Sequence, residues 1–251
     1  MVSVARDYAK AVREQAGWWG TYPLDLPLAV GDIVQLDDNG QMIKVGSALD
    51  RPGWREALPV ETQAVSAGNT WSWHATKSRG GSAEAGASTA AGVSAHGSLK
   101  VSFSQVGGFV LSYTSGKYHR LRDVEAAKRR VLAAARDKDW EVRNVLVTEV
   151  LEASPATVLV SAEANSSIEL SASASLPADV GGVNISDPTL GFSAANEEGS
   201  VQQTITQRAF PLYHCIRIHR DWARRLTAEL QDVDNPTPVD VFADGPFEEA
   251  P

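Results

Sequence analysis

The sequence predicts an α+β fold, in which a twisted, mostly antiparallel β-sheet with long alternating strands is flanked by a few helices. Three observations predict it. Apolar and polar residues alternate along 99–114 and 166–176, an Asn-Gly turn near residue 40 separates two β-rich runs, and apolar residues recur at helical spacing along 4–16 and 121–138. A period of two residues is typical of a strand, and a period near 3.6 is typical of a helix.

Composition and charge narrow the classes of function. A chain of 251 residues can bury one large core, and its formal charge of -8 argues against a nucleic-acid partner, because phosphate backbones bind basic surfaces. The single cysteine, Cys215, excludes an intramolecular disulfide and suits a reducing compartment. No run of about 18 apolar residues occurs and the N-terminus has no apolar signal core, so we expect a cytoplasmic protein without a transmembrane helix.

The first elements along the chain are a helix and a hairpin. A helix is predicted over 4–16, where an apolar stripe runs through Val4, Tyr8 and Val12. A hairpin is predicted over 32–45, because Asn and Gly both tolerate the positive φ of a tight turn. The prolines and glycines of 50–70 predict loops, after which Trp71 to Trp73 can open a strand.

The clearest alternation predicts one long strand over 99–114. Its apolar face carries Leu99, Val101, Phe103, Phe109 and Leu111, and serines dominate the other face. The stretch before it, 80–98, consists almost wholly of Gly, Ala, Ser and Thr. Such small residues cannot build a core alone, which predicts either a mobile loop or a weakly specified strand.

A helix and two strands are predicted in the middle of the chain. The helix, 121–138, carries a basic cluster of Lys128, Arg129 and Arg130. An apolar run over 145–151 predicts a strand buried on both faces, and 156–161 predicts another strand.

The second alternation, 166–176, has an apolar face of Ile168, Leu170 and Leu176 and a polar face rich in serine. A last strand system is predicted over 205–218 and a short helix over 222–230. The remaining tail, 231–251, is acidic and contains proline, so we expect it to be loosely held.

Residues that could carry catalysis are sparse. His214, Cys215 and His219 lie close together in sequence, as metal ligands or a Cys–His pair would, but no second ligand pair has zinc-like spacing. Packing at the end of a strand explains them more simply. Neither a G-x-S-x-G elbow nor a phosphate-binding loop occurs, and the paired glycines at 80, 107 and 181 suit turns or bulges. We therefore expect no enzyme, no catalytic residue, no metal site and no cofactor.

Two groups of residues offer lipid contacts. Trp18 and Trp19 suit a membrane interface, and Lys128, Arg129 and Arg130 suit anionic lipid headgroups. The alternatives are that the tryptophans cover an edge of the core and that the basic residues form a solvated helix face.

The long alternations admit two interpretations. An antiparallel sheet with one wet face produces alternation, and so does a strand that crosses a bilayer, which needs about 9–11 residues of this character.

The order of these parts resembles the gasdermin pore-forming domain. The matching order is helix 4–16, hairpin 32–45, alternating block 80–114, helix 121–138, and then a strand and a second alternating block. The local string N-V-L-V-T-E-V-L-E-A at 144–153, followed by V-L-V-S, carries the similarity most closely.

The resemblance implies a pore-forming domain over 1–230 and a short autoinhibitory segment over 231–251. Gasdermins are stored inhibited, and proteolysis lets their alternating strands insert as hairpins of a large ring. The resemblance therefore implies an activating protease, a homo-oligomer and membrane lipids as partners, with a move from cytoplasm to cell membrane. Bacterial members typically carry an N-terminal cysteine for lipidation, and this chain has none there.

The sequence thus leads to one hypothesis and one alternative. The hypothesis is a latent pore former whose inserting faces include Leu99, Val101, Phe103, Phe109, Leu111, Ile168, Leu170 and Leu176. The alternative is a β-rich self-assembling or partner-binding protein that never enters a membrane. Aspartate at Phe103 or Ile168 is expected to separate the two, because it abolishes insertion in the first and breaks an ordinary core in the second.

Overall fold

The structure is a computed structural model that describes residues 4–65, 68–80, 97–218 and 242–244. It confirms the predicted class, because antiparallel sheets dominate and helices are few. The helices are α1 (Val4–Ala16), α2 (Trp54–Ala57) and α3 (Val124–Arg136), with a 3-10 turn at Ala48–Asp50. The strands are β1 (Trp19–Gly20), β2 (Asp32–Leu36), β3 (Met42–Ser47), β4 (Val60–Val65), β5 (Asn69–Trp73), β6 (Ala75–Arg79), β7 (Ser98–Phe103), β8 (Phe109–Leu121), β9 (Val145–Ser161), β10 (Ser167–Ser171), β11 (Ser193–Glu198), β12 (Val201–Thr206), β13 (Ala209–Ile218) and β14 (Phe242–Asp244).

Local sequence explains two of these elements. The β2–β3 hairpin turns at Gly40, whose φ is 79°, while the Asp37 carboxylate accepts hydrogen bonds from the backbone of Asn39 and Gln41. The predicted hairpin is therefore confirmed. Helix α3 begins at Asp123, whose carboxylate accepts a hydrogen bond from the Ala126 amide at 2.8 Å.

Two antiparallel sheets organise the chain. In the large sheet, β9 is central: β12 and β13 lie along one side of it, and β8 and β2 lie along the other. Strands β4 and β5 pair with the far side of β8, β3 extends β2, and β1 and β14 extend β13. The second sheet has four strands in the order β11-β10-β7-β6.

Three groups of buried residues hold these layers together. The first core packs α3 against β2, β13 and the start of β9. The second core packs α1 against β8 and β9 through Tyr8, Val12 and Phe109. The third core lies on the apolar face of the second sheet, which is covered by the connection between β10 and β11, hereafter the covering segment (172–192).

Several predicted elements need correction. The alternation over 99–114 is not one strand but β7 and β8, which belong to different sheets and are separated by residues 104–108. Gly107 in this turn has a φ of 74°, a left-handed conformation that ends a strand. Strand β9 instead joins the two strands predicted over 145–161. The stretch 50–70, predicted as loops, contains α2, β4 and the first residues of β5.

The second alternation is also shorter than predicted, since β10 ends at Ser171 and the residues after it enter the covering segment. Near the C-terminus, β14 adds to β13 by pairing Asp244 with Ile216 and Phe242 with Ile218. Most of the small-residue stretch (81–96) and the predicted helix over 222–230 lie outside the described residues.

Candidate functional site

Four strands of the large sheet continue along the chain into the four strands of the second sheet. Strand β5 continues into β6 at His74, β8 is reached from β7 through 104–108, β9 continues into β10 through 162–166, and β12 follows β11 after two residues. The order β12-β9-β8-β5 in the large sheet is the order β11-β10-β7-β6 in the second. The second sheet is therefore the large sheet continued through one bend.

The two central strands keep one register through this bend. Val101 pairs with Ile168 in the second sheet, and Phe109 pairs with Val160 in the large sheet. The chain advances eight residues from Val101 to Phe109 and eight residues from Val160 to Ile168. The connections on the two strands thus have equal length, and straightening them together needs no slip between the strands.

The outer strands take a shorter path around the bend. Trp73 pairs with Phe109 and Ala75 with Phe103, so two residues on the outer strand oppose six on the inner one. The difference of four is even, so a slide of β6 along a straightened β7 keeps every side chain on its face. The positive φ of His74, 49°, marks the bend on this strand.

On the other side, Val201 pairs with Ser161 and Glu198 with Ser167, so three residues oppose six. This odd difference requires a bulge if β11 is to keep its faces on a straightened β10.

The predicted inserting face is divided between two cores in the folded chain. Leu99, Val101, Phe103, Ile168 and Leu170 are buried in the third core, and Leu176 is partly buried against it. Phe109 and Leu111 are buried in the second core, on the other face of the large sheet. The expectation that these residues share one face is wrong for this state, because the chain makes a half-turn between β7 and β8.

On β8 and β9 the polar side of the alternation is not a wet face, although the polar residues of β7 stay partly exposed. Ser112 of β8 is 0% exposed, and its hydroxyl contacts Thr70 at 2.9 Å and donates to the Asn184 side-chain oxygen. Thr157 of β9 is 1% exposed and donates to the Ile185 carbonyl at 3.3 Å. The large majority of buried polar groups are paired, and here the covering segment supplies the partners.

Asn184 is the central contact of the covering segment. Its side-chain amide donates to the Tyr113 carbonyl at 3.2 Å, and its side-chain oxygen also accepts from the Ser186 amide at 2.9 Å. Ser186 in turn donates its hydroxyl to the Ser112 carbonyl at 2.7 Å. These bonds tie the covering segment to β8 by polar contacts that water can replace.

Two basic residues of β6, Lys77 and Arg79, also bind the covering segment. The Lys77 ammonium donates to the Val183 carbonyl at 2.7 Å, and burial lowers the pKa of this amine. Arg79 donates to the Pro177 carbonyl at 2.8 Å. Both cations therefore bind backbone carbonyls of the covering segment.

Helix α1 lies against the bend. The Tyr8 ring meets Phe109 edge to face at 5.6 Å, and a Cβ placed on Gly107 would lie 2.7 Å from the Cβ of Asp7. Burial raises the pKa of Asp7, and Lys10 and Arg6 partly offset this. Only a glycine lets the turn approach the helix so closely.

A polar cavity of about 600 Å³ opens at the same bend, lined by His74, Lys100, Ser102, Asn165 and Glu198 among others. Lys100 and Glu198 form an ion pair across it at 3.0 Å, and the hydrogen bond from Lys100 lowers the pKa of Glu198. Local sequence contains one signal for the bend, the Gly107-Gly108 pair, while nothing local indicates His74 or Asn184.

The candidate lipid contacts lie on different elements, with Trp18 and Trp19 directly after α1 and the basic cluster on α3. Trp18 is partly buried and stacks on Tyr118 at 5.3 Å and against His214 at 4.1 Å, while Trp19 lies beneath Arg13 at 5.4 Å.

On α3, the basic cluster is already paired in part. Lys128 bonds Glu125 at 2.9 Å, Arg129 lies 3.8 Å from Asp123, and Arg130 is half-buried. Trp18 packs against the second core, whereas Trp19 packs against the first core, on which α3 also lies.

The described residues give no support for a metal site. Cys215 is a free, buried thiol, and the part of the chain that the structure describes holds no group of three or more His, Cys, Asp or Glu able to bind a metal. His219 lies outside that part. None of the described helices is long and apolar enough to cross a bilayer.

Comparison with models of protein families gives no match, and no curated protein matches the sequence. The resemblance to gasdermins therefore stays a prediction.

Proposed function

We propose that this chain is a latent pore-forming protein without catalytic activity. In the proposed active state, the bend opens, and β5–β6 with β7–β8 and β9–β10 with β11–β12 straighten into two long hairpins that enter a membrane. Several copies then close a ring, so that every strand edge and every backbone polar group is paired, as a bilayer requires.

The observation that carries this proposal is the shared order and register of the two sheets. Four strands continue in the same order, and the central pair keeps its register, so straightening extends the central pair without a slip while the two outer strands slide along it. On straight strands, alternation would place Leu99, Val101 and Phe103 on the same face as Phe109 and Leu111. That face would span the length that a bilayer demands, and it would be apolar except at Gln105 and Gly107.

Burial of the polar positions supports the same proposal. A sheet with one wet face explains serines that contact water, but Ser112 and Thr157 are fully buried beneath the covering segment. In a membrane hairpin, the same positions would face the water-filled interior of the ring. On release of the covering segment, water can replace its hydrogen bonds, and the apolar face that Val180, Val183 and Ile185 cover would pass from the third core to lipid.

The C-terminal strand supports autoinhibition. Strand β14 occupies the edge of β13 over Ile216 to Ile218, and an occupied edge is not open to another chain. We infer that proteolysis in the tail removes this strand and that the activated protein moves from the cytoplasm to the cell membrane. Trp18, Trp19 and the basic residues of α3 would meet lipid in that state.

Dye release from liposomes tests the proposal. The full chain, carrying an introduced protease site after Asp232, is cut after folding, and release is compared before and after the cut. We expect release only after the cut. An absence of release from both forms with neutral and anionic liposomes alike contradicts pore formation.

The runner-up is a partner-binding or self-assembling protein that stays out of membranes. Its support is the outer strand β3, which leaves Ile43 52% and Val45 49% exposed. The aspartate substitutions at Phe103 and Ile168 no longer separate the two functions. Both side chains are at most 2% exposed in the folded monomer, so either function predicts misfolding.

A further inference from the structure

Two strained backbone positions lie in the wall of the polar cavity at the bend. Among the described residues other than glycine, His74, Lys138 and Asn165 have a positive φ, and both His74 and Asn165 line this cavity. Their φ angles are 49° and 59°. A left-handed conformation is unfavourable for a residue with a side chain, and such positions cluster at ligand sites and switches. The cavity is therefore a candidate binding site.

A row of polar side chains crosses one wall of the cavity. Thr76 pairs with Ser102, Ser102 with Ser167, and Ser167 with Glu198, so each of the four strands contributes one residue. All four residues line the cavity. Residues directly opposite one another share a face of the sheet, and neighbouring strands are about 4.8 Å apart, so the row extends over about 14 Å.

Several polar groups of the cavity are available to a ligand. Within the part of the chain that the structure describes, the hydroxyls of Thr76 and Ser102 and the side-chain amide of Asn165 have no hydrogen-bond partner. A hydroxyl and an amide can each donate and accept hydrogen bonds. The exposed imidazole of His74 adds a ring with an apolar body and a polar tip. A ligand that carries several hydroxyls on a carbon ring matches this combination.

The two full charges of the cavity are paired with each other. The Lys100 ammonium lies 3.0 Å from a Glu198 carboxylate oxygen, and His74 is the one other titratable side chain among the described residues that line the cavity. An inorganic ion of either sign would meet a repelling charge beside the attracting one. A neutral ligand avoids this conflict and can hydrogen-bond to both charged groups.

The row of polar side chains is complete only while the chain is bent. On straightening, β6 would slide by four residues along β7 and β11 by three along β10. Thr76 would then leave Ser102, and Glu198 would leave Ser167. A ligand that spans the row therefore binds the bent chain more tightly than the straight one. Such a ligand shifts the population toward the bent chain.

We propose that this cavity binds a neutral saccharide of one or two hexose units, held by the row from Thr76 to Glu198 and by Asn165, and that the bound sugar keeps the chain bent. The cavity volume of about 600 Å³ lies within the range of small-molecule sites. Binding itself does not need pore formation. Its effect on pore opening rests on the proposed function.

Removal of the unpaired polar groups tests the site. The first site variant is Thr76→Val with Ser102→Ala. Its control is Thr204→Val with Ser72→Ala, which removes the same two kinds of hydroxyl from strands β12 and β5, outside the cavity. The second site variant is Asn165→Gly, which removes the amide and suits the positive φ, so loss of fold does not explain loss of binding.

Binding is measured on the full, uncut chain with glucose, maltose, cellobiose and inorganic phosphate as probes. Sugars excluded from a protein surface raise the Tm of any fold, so the informative quantity is the rise in Tm of the unaltered chain minus that of each site variant. Saturation transfer from protein to sugar protons, observed by NMR, reports direct contact. Thermal unfolding without ligand shows whether each variant is folded.

We expect at least one of the three sugars to give a larger rise in Tm in the unaltered chain and the control than in either site variant. Saturation transfer should be lost in both site variants, and phosphate should give no such difference. With tail-cut protein and liposomes, this sugar at ten times its Kd should slow dye release about tenfold, because it binds only the bent chain. Release from the site variants should not respond to the sugar.

The proposal is overturned if no sugar binds, if a folded site variant binds sugar as the control does, or if phosphate binds and the sugars do not. A sugar that binds but leaves dye release unchanged contradicts the preference for the bent chain. Sugar binding in a protein that releases no dye even without sugar supports the site and contradicts pore formation, so the two failures are distinguishable.

Discussion

Tyr8 of the first helix meets Phe109 edge to face at 5.6 Å, at the residue where the chain leaves the bend and enters β8. The contact joins an N-terminal helix to the start of a strand that the proposed function requires to stay in place while β7 swings away. Helix α1 thus packs against the large sheet and also covers the bend.

Two substitutions of Tyr8 are expected to change the free energy of unfolding in opposite directions. Its ring is 0% exposed, and its hydroxyl has no hydrogen-bond partner among the described residues. Tyr8→Phe removes an unpaired buried group, so we expect the free energy of unfolding to rise by about 1 kcal/mol. Tyr8→Ala leaves a cavity and should lower it by about 3 kcal/mol. Denaturant unfolding measures both, and a loss of stability in Tyr8→Phe would contradict the unpaired hydroxyl.

Asn184→Ala should loosen the covering segment. The substitution removes the bonds to Ser112, Tyr113 and Ser186, and we expect a loss of about 2 kcal/mol of stability together with faster hydrogen exchange over 172–192. Asn196→Ala is the matched control, because Asn196 is exposed on β11. Equal exchange rates in the two variants would show that Asn184 does not hold the segment.

Two neighbouring carboxylates of β9 predict opposite pH effects. Burial raises the pKa of Glu152, but hydrogen bonds from Arg208 at 3.0 Å and His119 at 3.1 Å outweigh it and leave the pKa below 4.5. Burial raises the pKa of Glu149 above 4.5, more than Arg120 lowers it. Ionised Glu152 therefore stabilises the fold above pH 4.5 and loses this effect as the pH falls through its lower pKa, whereas ionisation of Glu149 costs stability as the pH rises past 4.5.

Thermal unfolding of Glu152→Gln and Glu149→Gln, measured across pH, tests these two opposite effects. We expect Glu152→Gln to lower Tm at pH 7 and Glu149→Gln to raise it, with both differences vanishing in acid. Shifts of the same sign at pH 7 would contradict the assignment.

His74 predicts how fast the bend opens. Its φ of 49° costs a non-glycine residue about 1–2 kcal/mol, and a β-branched residue more, while an extended strand favours the β-branched residue. After tail removal, His74→Val should speed dye release and His74→Gly should slow it. Ser72, an exposed residue of β5, provides controls as Ser72→Val and Ser72→Gly, which should not reproduce this order. If they do, strand propensity and not the bend sets the rate.

Sequence periodicity predicted which residues of the alternating blocks are apolar, but not that the chain bends between β7 and β8. The odd positions from Leu99 to Tyr113 read as one apolar face, and period two contains no information on a bend between them. The Gly107-Gly108 pair indicates a turn or bulge there, but not that the chain passes from one sheet to another. Strand β4 was missed for a related reason, since most of its side chains are exposed and therefore show no alternation.

The candidate site was predictable in part. The apolar residues were identified, but the burial of Ser112 depends on Asn184, which is 72 residues away along the chain. The matched registers on the two sides of the bend depend on pairing between β7 and β10, which a single sequence does not reveal. Tertiary contacts of this kind lie beyond local patterns.

A reversible lock on the bend tests whether the covering segment must leave β8 before a pore can form. Cysteines at Ser112 and Asn184, in a Cys215→Ala background, would join β8 to the covering segment, whose side chains already touch there. Cysteines at Ser98 and Ser171 form the control, because these residues pair across β7 and β10, the two strands that keep their register when straightened. Dye release is measured for both tail-cut proteins, oxidised and reduced.

We expect that the oxidised lock releases no dye, that reduction restores release, and that the control releases dye in both states. Equal release from the oxidised and reduced lock would contradict this expectation, because the covering segment would then not need to leave β8.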